Sequence, residues 1–71
     1  MKISYDPKVD ALYVRFVDGP KEVMTLRLTE DVAVNYVPGG DIVGIEILSA
    51  HEHVQFIGSK PQLHAENMMV V

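Results

Sequence analysis

The sequence predicts a mainly β (α+β) fold for residues 1–71, built as a single small domain. Three observations predict it: runs of alternating apolar residues, turn-forming residues between the runs, and short connections. The turn formers are Asp6-Pro7, Asp18-Gly19-Pro20, Thr29-Glu30-Asp31 and Pro38-Gly39-Gly40-Asp41. Five strands are therefore predicted, at residues 2–5, 11–18, 22–28, 32–37 and 42–48. Because short connections favour hairpins, we expect an antiparallel meander.

Alternation also assigns each strand residue to one of two faces, because successive side chains point to opposite sides of a sheet. One predicted face is almost wholly apolar and should form the core. It carries Ile3, Tyr5, Leu12, Val14, Phe16, Met24, Leu26, Leu28, Val32, Val34, Tyr36, Val43, Ile45 and Ile47. The other face mixes polar and apolar residues, and we expect either the C-terminal segment or a second copy to cover part of it.

A short helix is predicted after the fifth strand. Ser49-Ala50-His51-Glu52 matches a capping box, and Ala50, Val54 and Ile57 follow helical spacing up to Gly58, which suits a left-handed C-terminal cap. A strand in which Val54 and Phe56 alternate with the histidines remains an open alternative. The tail, residues 59–71, is ambiguous, although its end, Met68-Met69-Val70-Val71, is apolar enough to dock on a sheet.

Composition limits the classes of function. A chain of 71 residues buries only roughly 60% of its unfolded surface, so extra stabilisation is expected. The absence of cysteine excludes disulfides and thiolate metal sites, which leaves self-association as the simplest source of that stabilisation, and we expect a homo-oligomer. The formal net charge of −4 without a Lys/Arg cluster argues against nucleic-acid binding. No signal peptide or membrane-length apolar run is present, so the expected location is cytoplasmic, without membrane attachment.

A family resemblance rests on two stretches of the sequence. The run from Tyr5 to Arg15, YDPKVDALYVR, together with Gly44-Ile45-Glu46-Ile47-Leu48 after a Gly-Gly-Asp turn, resembles domain-of-unknown-function family 2283, the YuzE-like small bacterial and archaeal proteins. The resemblance covers roughly residues 1–50. It implies a compact β-rich domain and an antitoxin-like or accessory role, and it supplies no catalytic residues.

The opening motif has a structural explanation and a functional one. Asp6 suits a turn because its carboxylate can accept from backbone amides ahead of it, Pro7 fixes φ, and Asp10 can close the turn. The alternative makes Asp6 and Asp10 a paired-carboxylate metal or acid/base site, which normally needs more ligands than two. We favour the turn.

The best polar cluster lies on the second face and consists of Arg15, Arg27, Asn35 and Glu46. It is a candidate ligand-binding site, since the fork of an arginine fits planar carboxylate and phosphate groups. The competing interpretation, which we favour, is an ion pair on a partly solvent-exposed face of the sheet.

The histidines are weak candidates for metal ligands. His51, His53 and His64 match no zinc motif, and we favour solvated surface histidines. No serine lies in a nucleophile elbow, and Gly39-Gly40 is explained by a hairpin turn rather than a phosphate loop, so no cofactor is expected.

Two functions follow from these observations. The first is a non-catalytic, self-associating protein-interaction module whose partner is a toxin-like basic protein. The alternative is a small-molecule or metal-binding protein, conceivably an enzyme, that uses Arg15, Arg27 and Glu46.

Overall fold

A five-stranded antiparallel sheet dominates the computed structural model, which describes residues 1–19 and 22–63. In chain order the elements are β1 (Lys2–Asp6), β2 (Ala11–Arg15), β3 (Met24–Arg27), β4 (Val32–Tyr36), β5 (Ile42–Ile47), α1 (Ala50–His53), β6 (Phe56–Ile57) and β7 (Lys60–Pro61). The predicted mainly β class, the five strands and the short helix are confirmed.

The strand order is β1-β2-β5-β4-β3, so the predicted meander is wrong in its order. No hairpin forms between β2 and β3, because β5 occupies the place beside β2. The Phe16 amide after β2 donates to the Val43 carbonyl at 2.7 Å, and the chain then crosses to the far edge. This order gives β5 two hydrogen-bonded neighbours and places the strand with Val43, Ile45 and Ile47 at the centre of the sheet.

The strand register confirms most of the predicted face assignments. An aliphatic row crosses all five strands through directly paired residues: Ile3, Val14, Ile45, Val34 and Leu26. One position departs from alternation, because the register shifts between Asn35 and Tyr36 and places Ile42 opposite Tyr36, whereas Val43 is buried as predicted for a core residue. An irregularity of this kind inserts an extra residue into one strand and reverses its alternation beyond that point.

The apolar face, defined as the face that carries this row, is not the closed core that the sequence predicts. Among the described residues, the buried apolar side chains are Leu12, Ala33, Val43 and Ala50. Several large side chains predicted for the core stay exposed: Ile3 (41%), Phe16 (45%), Met24 (52%), Leu26 (53%) and Leu28 (58%). The C-terminal segment contacts this face near Tyr5, where the Phe56 ring centroid lies 5.2 Å from that of Tyr5.

The C-terminal segment combines the two predicted alternatives. A helix forms, but it ends at His53, and Phe56–Ile57 pairs with Lys60–Pro61 as a small hairpin. The capping box is absent, because Ser49 adopts a left-handed conformation at φ 50° and its side chain makes no capping hydrogen bond. Gly58, with φ 62°, forms the hairpin turn instead of a helix cap. The predicted docking of residues 68–71 lies outside the described residues.

Candidate functional site

The second face of the sheet, here called the polar face, carries every charged residue of the five long strands. These residues are Lys2, Asp6, Arg15, Arg27 and Glu46. Ala33 and Gly44 are buried near its centre because long side chains lie over them. A Cβ atom on Gly44 would clash with the Tyr13 hydroxyl oxygen, so the tyrosine occupies the space that the glycine leaves.

The four predicted ligand-binding residues lie together on the polar face. Arg27 lies 3.6 Å from a Glu46 carboxylate oxygen, in an exposed ion pair. Asn35 donates from Nδ2 to the Tyr13 hydroxyl at 3.0 Å and accepts from the Thr25 hydroxyl at 2.8 Å.

The guanidinium of Arg15 makes a different contact, since it lies 5.8 Å from the centroid of the Tyr13 ring, within the range of a cation–π interaction. No acidic side chain pairs with it among the described residues. The binding of a ligand by these four residues stays a prediction.

A second cluster, which sequence reasoning did not identify, joins the β1–β2 turn to α1. We call it the Asp10 cluster, and it consists of Tyr5, Asp10, His51 and Phe56. One carboxylate oxygen of Asp10 accepts from the Tyr5 hydroxyl at 2.7 Å and lies 2.7 Å from His51 Nδ1. The other accepts from the His51 backbone amide at 3.2 Å. The His51 ring stacks on Phe56 at a centroid distance of 3.7 Å.

The local backbone explains how the Asp10 carboxylate reaches α1. Asp6 accepts from the Lys8 amide at 2.9 Å, as the turn interpretation of the motif requires. Asp10 takes a positive φ of 53°, a conformation that aspartate tolerates better than most residues, and its carbonyl accepts from the Ala50 amide at 2.9 Å. The two aspartates of the motif therefore have separate partners, which fits the turn better than a paired-carboxylate site.

The electrostatics of this cluster favour a charged aspartate and a neutral tyrosine. Partial burial acts to raise the pKa of Asp10, but the hydrogen bonds from Tyr5 and His51 outweigh it, and the pKa is lowered. Desolvation, followed by the hydrogen bond to Asp10, raises the pKa of Tyr5 to about 12. Because an ionised carboxylate only accepts, His51 Nδ1 carries the proton that it shares with Asp10. Nε2 is then the ring nitrogen left for other contacts.

The predicted metal candidates do not share a site. His51 bonds to Asp10, whereas the Nε2 atom of His53 lies 2.9 Å from a carboxylate oxygen of Asp31, in the turn between β3 and β4. His64 lies outside the described residues. Each histidine that the structure describes therefore has a carboxylate partner, where the sequence interpretation expected solvated side chains.

Comparison with known proteins places most of this geometry within one family. Residues 2–51 match a family described as a protein of unknown function, DUF2283. The chain belongs to this family. The predicted resemblance is thereby confirmed, and the DUF2283 match includes the whole five-stranded sheet, Tyr5, Asp10 and His51, whereas His53 and Phe56 lie beyond it.

One relative extends the comparison. An uncharacterised protein of Methanocaldococcus jannaschii is 44% identical over 50 residues, which is 70% of this chain and 41% of the relative. The matched region therefore spans less than half of the relative's length. No solved structure matches the chain. None of the helices in residues 1–19 and 22–63 has the length and apolar character needed to cross a membrane.

Proposed function

We propose that this DUF2283 chain is a non-catalytic, self-associating protein-interaction module, and that a second copy covers the apolar face. The observation that carries the proposal is the separation of charge between the two faces. All five charged residues of the long strands lie on the polar face, whereas the apolar face exposes about half of Leu26 and Met24. A second sheet can therefore cover the apolar face without removing any strand charge from water.

The size of the apolar face supports an interface between copies. Five strands about 4.8 Å apart and five residues long, at about 3.3 Å per residue, give a flat area on the order of 400 Å². One partner in a stable interface contributes about 800 Å². The side chains increase the true surface above the flat value, and all four residues of the edge strand β3, which this area includes, are exposed.

A second copy suits this face better than an unrelated surface does. Two sheets pack face to face about 10 Å apart, with interdigitated side chains, and a two-fold axis places the same patch on both partners. Such packing gives each chain the second layer that a domain requires, and it adds core to a chain that is short for its own stability. The sequence analysis expected a second copy to cover part of the polar face. In the described structure, the side chains of that face make polar contacts with one another.

The experiment that tests this proposal adds one negative charge to either face of the same strand. Leu26→Asp places the charge on the apolar face, and Thr25→Asp, the matched control, places it on the polar face one residue away. Sedimentation equilibrium should give twice the 7.9 kDa chain mass for the wild type and for Thr25→Asp, and a single chain mass for Leu26→Asp.

Two other outcomes contradict the proposal. If the wild-type chain is monomeric at all concentrations measured, no second copy covers the apolar face. If Met69→Asp also destabilises such a monomer as strongly as Leu26→Asp does, the C-terminal residues of the same chain cover the face instead.

The proposal includes a protein partner of basic character in the cytoplasm, with an antitoxin-like or accessory role. The basic character of the partner is supported by the formal net charge of −4, and the role is the one that the resemblance noted in the sequence implies. Purification of the native protein from its host at low ionic strength should recover a basic protein in stoichiometric amount, and the complex should dissociate as salt is added. Recovery of the chain with no such partner at low salt counts against this part of the proposal.

A further inference from the structure

We infer that Asp31, Glu52 and His53 form a binding site for a divalent transition-metal ion of the zinc class. This inference is independent of self-association, because the three residues lie on the β3–β4 turn and on α1. No residue of the aliphatic row that defines the apolar face is part of the site.

The first step of the argument is the chemistry of the donor atoms. Each residue offers one ligand atom, and the three atoms lie within 4.8 Å of one another. One imidazole nitrogen and two carboxylate oxygens are a ligand set that zinc uses, and a zinc ion held by three protein ligands keeps a fourth position for water. Imidazole favours zinc, copper, iron or nickel over magnesium and calcium.

The second step is the distance between the atoms. Zinc–nitrogen and zinc–oxygen bonds of about 2.0–2.2 Å in a tetrahedron separate neighbouring ligand atoms by roughly 3.3–3.6 Å. The Nε2 atom of His53 lies 2.9 Å from Asp31 Oδ2, so this pair needs to open by only a few tenths of an ångström. The metal ion then replaces the proton that the two atoms share, and the exposed Glu52 side chain moves inward to complete the set.

The third step is the rigidity of the turn that holds Asp31. The Thr29 hydroxyl oxygen accepts from the amides of Asp31 and Val32 at 3.1 and 3.0 Å. The Leu48 amide donates to the Asp31 carbonyl at 2.7 Å, which ties the turn to the segment that leads into α1. One of the three ligands, Asp31, therefore lies on a backbone that is already held in place before metal binds, and this lowers the entropic cost of binding.

His51 and Asp10 provide an internal comparison. They form a similar histidine–carboxylate pair at 2.7 Å, but no third ligand joins it among the residues that the structure describes. A pair without a third ligand should hold zinc much more weakly than the Asp31, Glu52 and His53 set does.

The experiment is a calorimetric titration of the full chain with zinc chloride. In the variants, His53 or His51 is replaced by the amide residue whose side-chain nitrogen lies nearest to the imidazole nitrogen that it replaces. His53→Gln keeps a nitrogen near the Nε2 position, and His51→Asn keeps one near Nδ1, so each variant retains a hydrogen bond to its aspartate while losing the ligand. Every protein in the series also carries His64→Ala, because that histidine is a possible competing ligand.

We expect one zinc ion per chain, at least a tenfold loss of affinity in His53→Gln and in Asp31→Asn, and less than a twofold change in His51→Asn. Zinc should also raise the unfolding temperature of the parent protein and not that of His53→Gln. Binding weaker than millimolar in the parent, or equal losses in His53→Gln and His51→Asn, would overturn the inference. Circular dichroism on each variant separates loss of the ligand from loss of the fold.

Discussion

Asp10 and His51 lie 41 positions apart in the chain and meet at 2.7 Å, so one carboxylate fastens the helix to the sheet. The same aspartate also accepts hydrogen bonds from the Tyr5 hydroxyl and from the His51 backbone amide. The attachment of α1 therefore depends on a side chain that the sequence pattern assigns to a turn alone.

The first prediction concerns the replacement of Asp10 by Asn. The amide keeps the shape of the side chain but offers one acceptor where the carboxylate offers two, so one of the donors from Tyr5 and His51 loses its partner. We expect lower stability and faster hydrogen exchange at the amides of residues 50–53, measured by NMR. Asp6→Asn is the control, because among the residues that the structure describes the Asp6 side chain accepts only from the Lys8 amide within its own turn. Equal exchange rates in the two variants would show that Asp10 does not hold the helix.

The second prediction concerns the pH dependence of stability. The pKa of Asp10 is lowered in the folded protein, so its contribution is present above the ordinary carboxyl pKa and is lost as the pH falls through the folded value. The pKa of Tyr5 is raised from 10.0 to about 12, so its contribution is present below pH 10 and is lost as the pH rises toward 12.

Tyr5→Phe should therefore remove part of the loss of stability at acid pH and part of the loss at alkaline pH. We expect the difference in unfolding free energy between wild type and Tyr5→Phe to be largest at neutral pH and to shrink toward both extremes, as measured by urea unfolding across the pH range. Tyr36→Phe is the control for a tyrosine outside the Asp10 cluster. A difference that stays constant from acid to alkaline pH would contradict the coupling between Tyr5 and Asp10.

The third prediction tests the contact between Tyr13 and Gly44 on the polar face. A methyl group on Gly44 would clash with the Tyr13 hydroxyl and lie 2.8 Å from the Val14 carbonyl, so both side chain and backbone must shift. Overpacking of this kind costs about 1–3 kcal/mol. Gly40→Ala is the matched control, because its nearest neighbour is a Val37 side-chain atom at 3.3 Å. Chemical denaturation that shows equal stability for the two variants would refute the contact.

The sequence predicts those features of the fold that depend on local periodicity. Alternation places Val14, Ile45 and Val34 on one face, and the register confirms it. The strand order does not follow from local patterns, because β2 can pair with either β3 or β5 through the same backbone groups. The distance in sequence between Asp10 and His51 likewise leaves no periodic signal. The exposure of Ile3 and Leu26 within residues 1–19 and 22–63 was missed because alternation shows which residues share a face and not whether anything covers them.

The fourth prediction separates the structural role of the polar face from its predicted ligand-binding role. Arg27 and Glu46 form an exposed pair, so a double-mutant cycle with Arg27→Ala and Glu46→Ala should give a coupling of about 0.2–1 kcal/mol in stability. Arg15 has no acidic partner among the described side chains, so Arg15→Ala should weaken the binding of an added anion more than Arg27→Ala does.

Inorganic phosphate is a suitable anion for this comparison, and NMR titration of the Arg15, Arg27 and Asn35 resonances measures its binding. Because arginine binds phosphate through its fork of N–H donors, a site on this face requires a free guanidinium, and Arg15 is better placed than Arg27 to provide one. If Arg15→Ala and Glu46→Ala leave every measured phosphate shift unchanged and alter only stability, the polar face is a structural network of the sheet. A selective loss of shifts in Arg15→Ala would instead identify Arg15 as the residue that binds the anion.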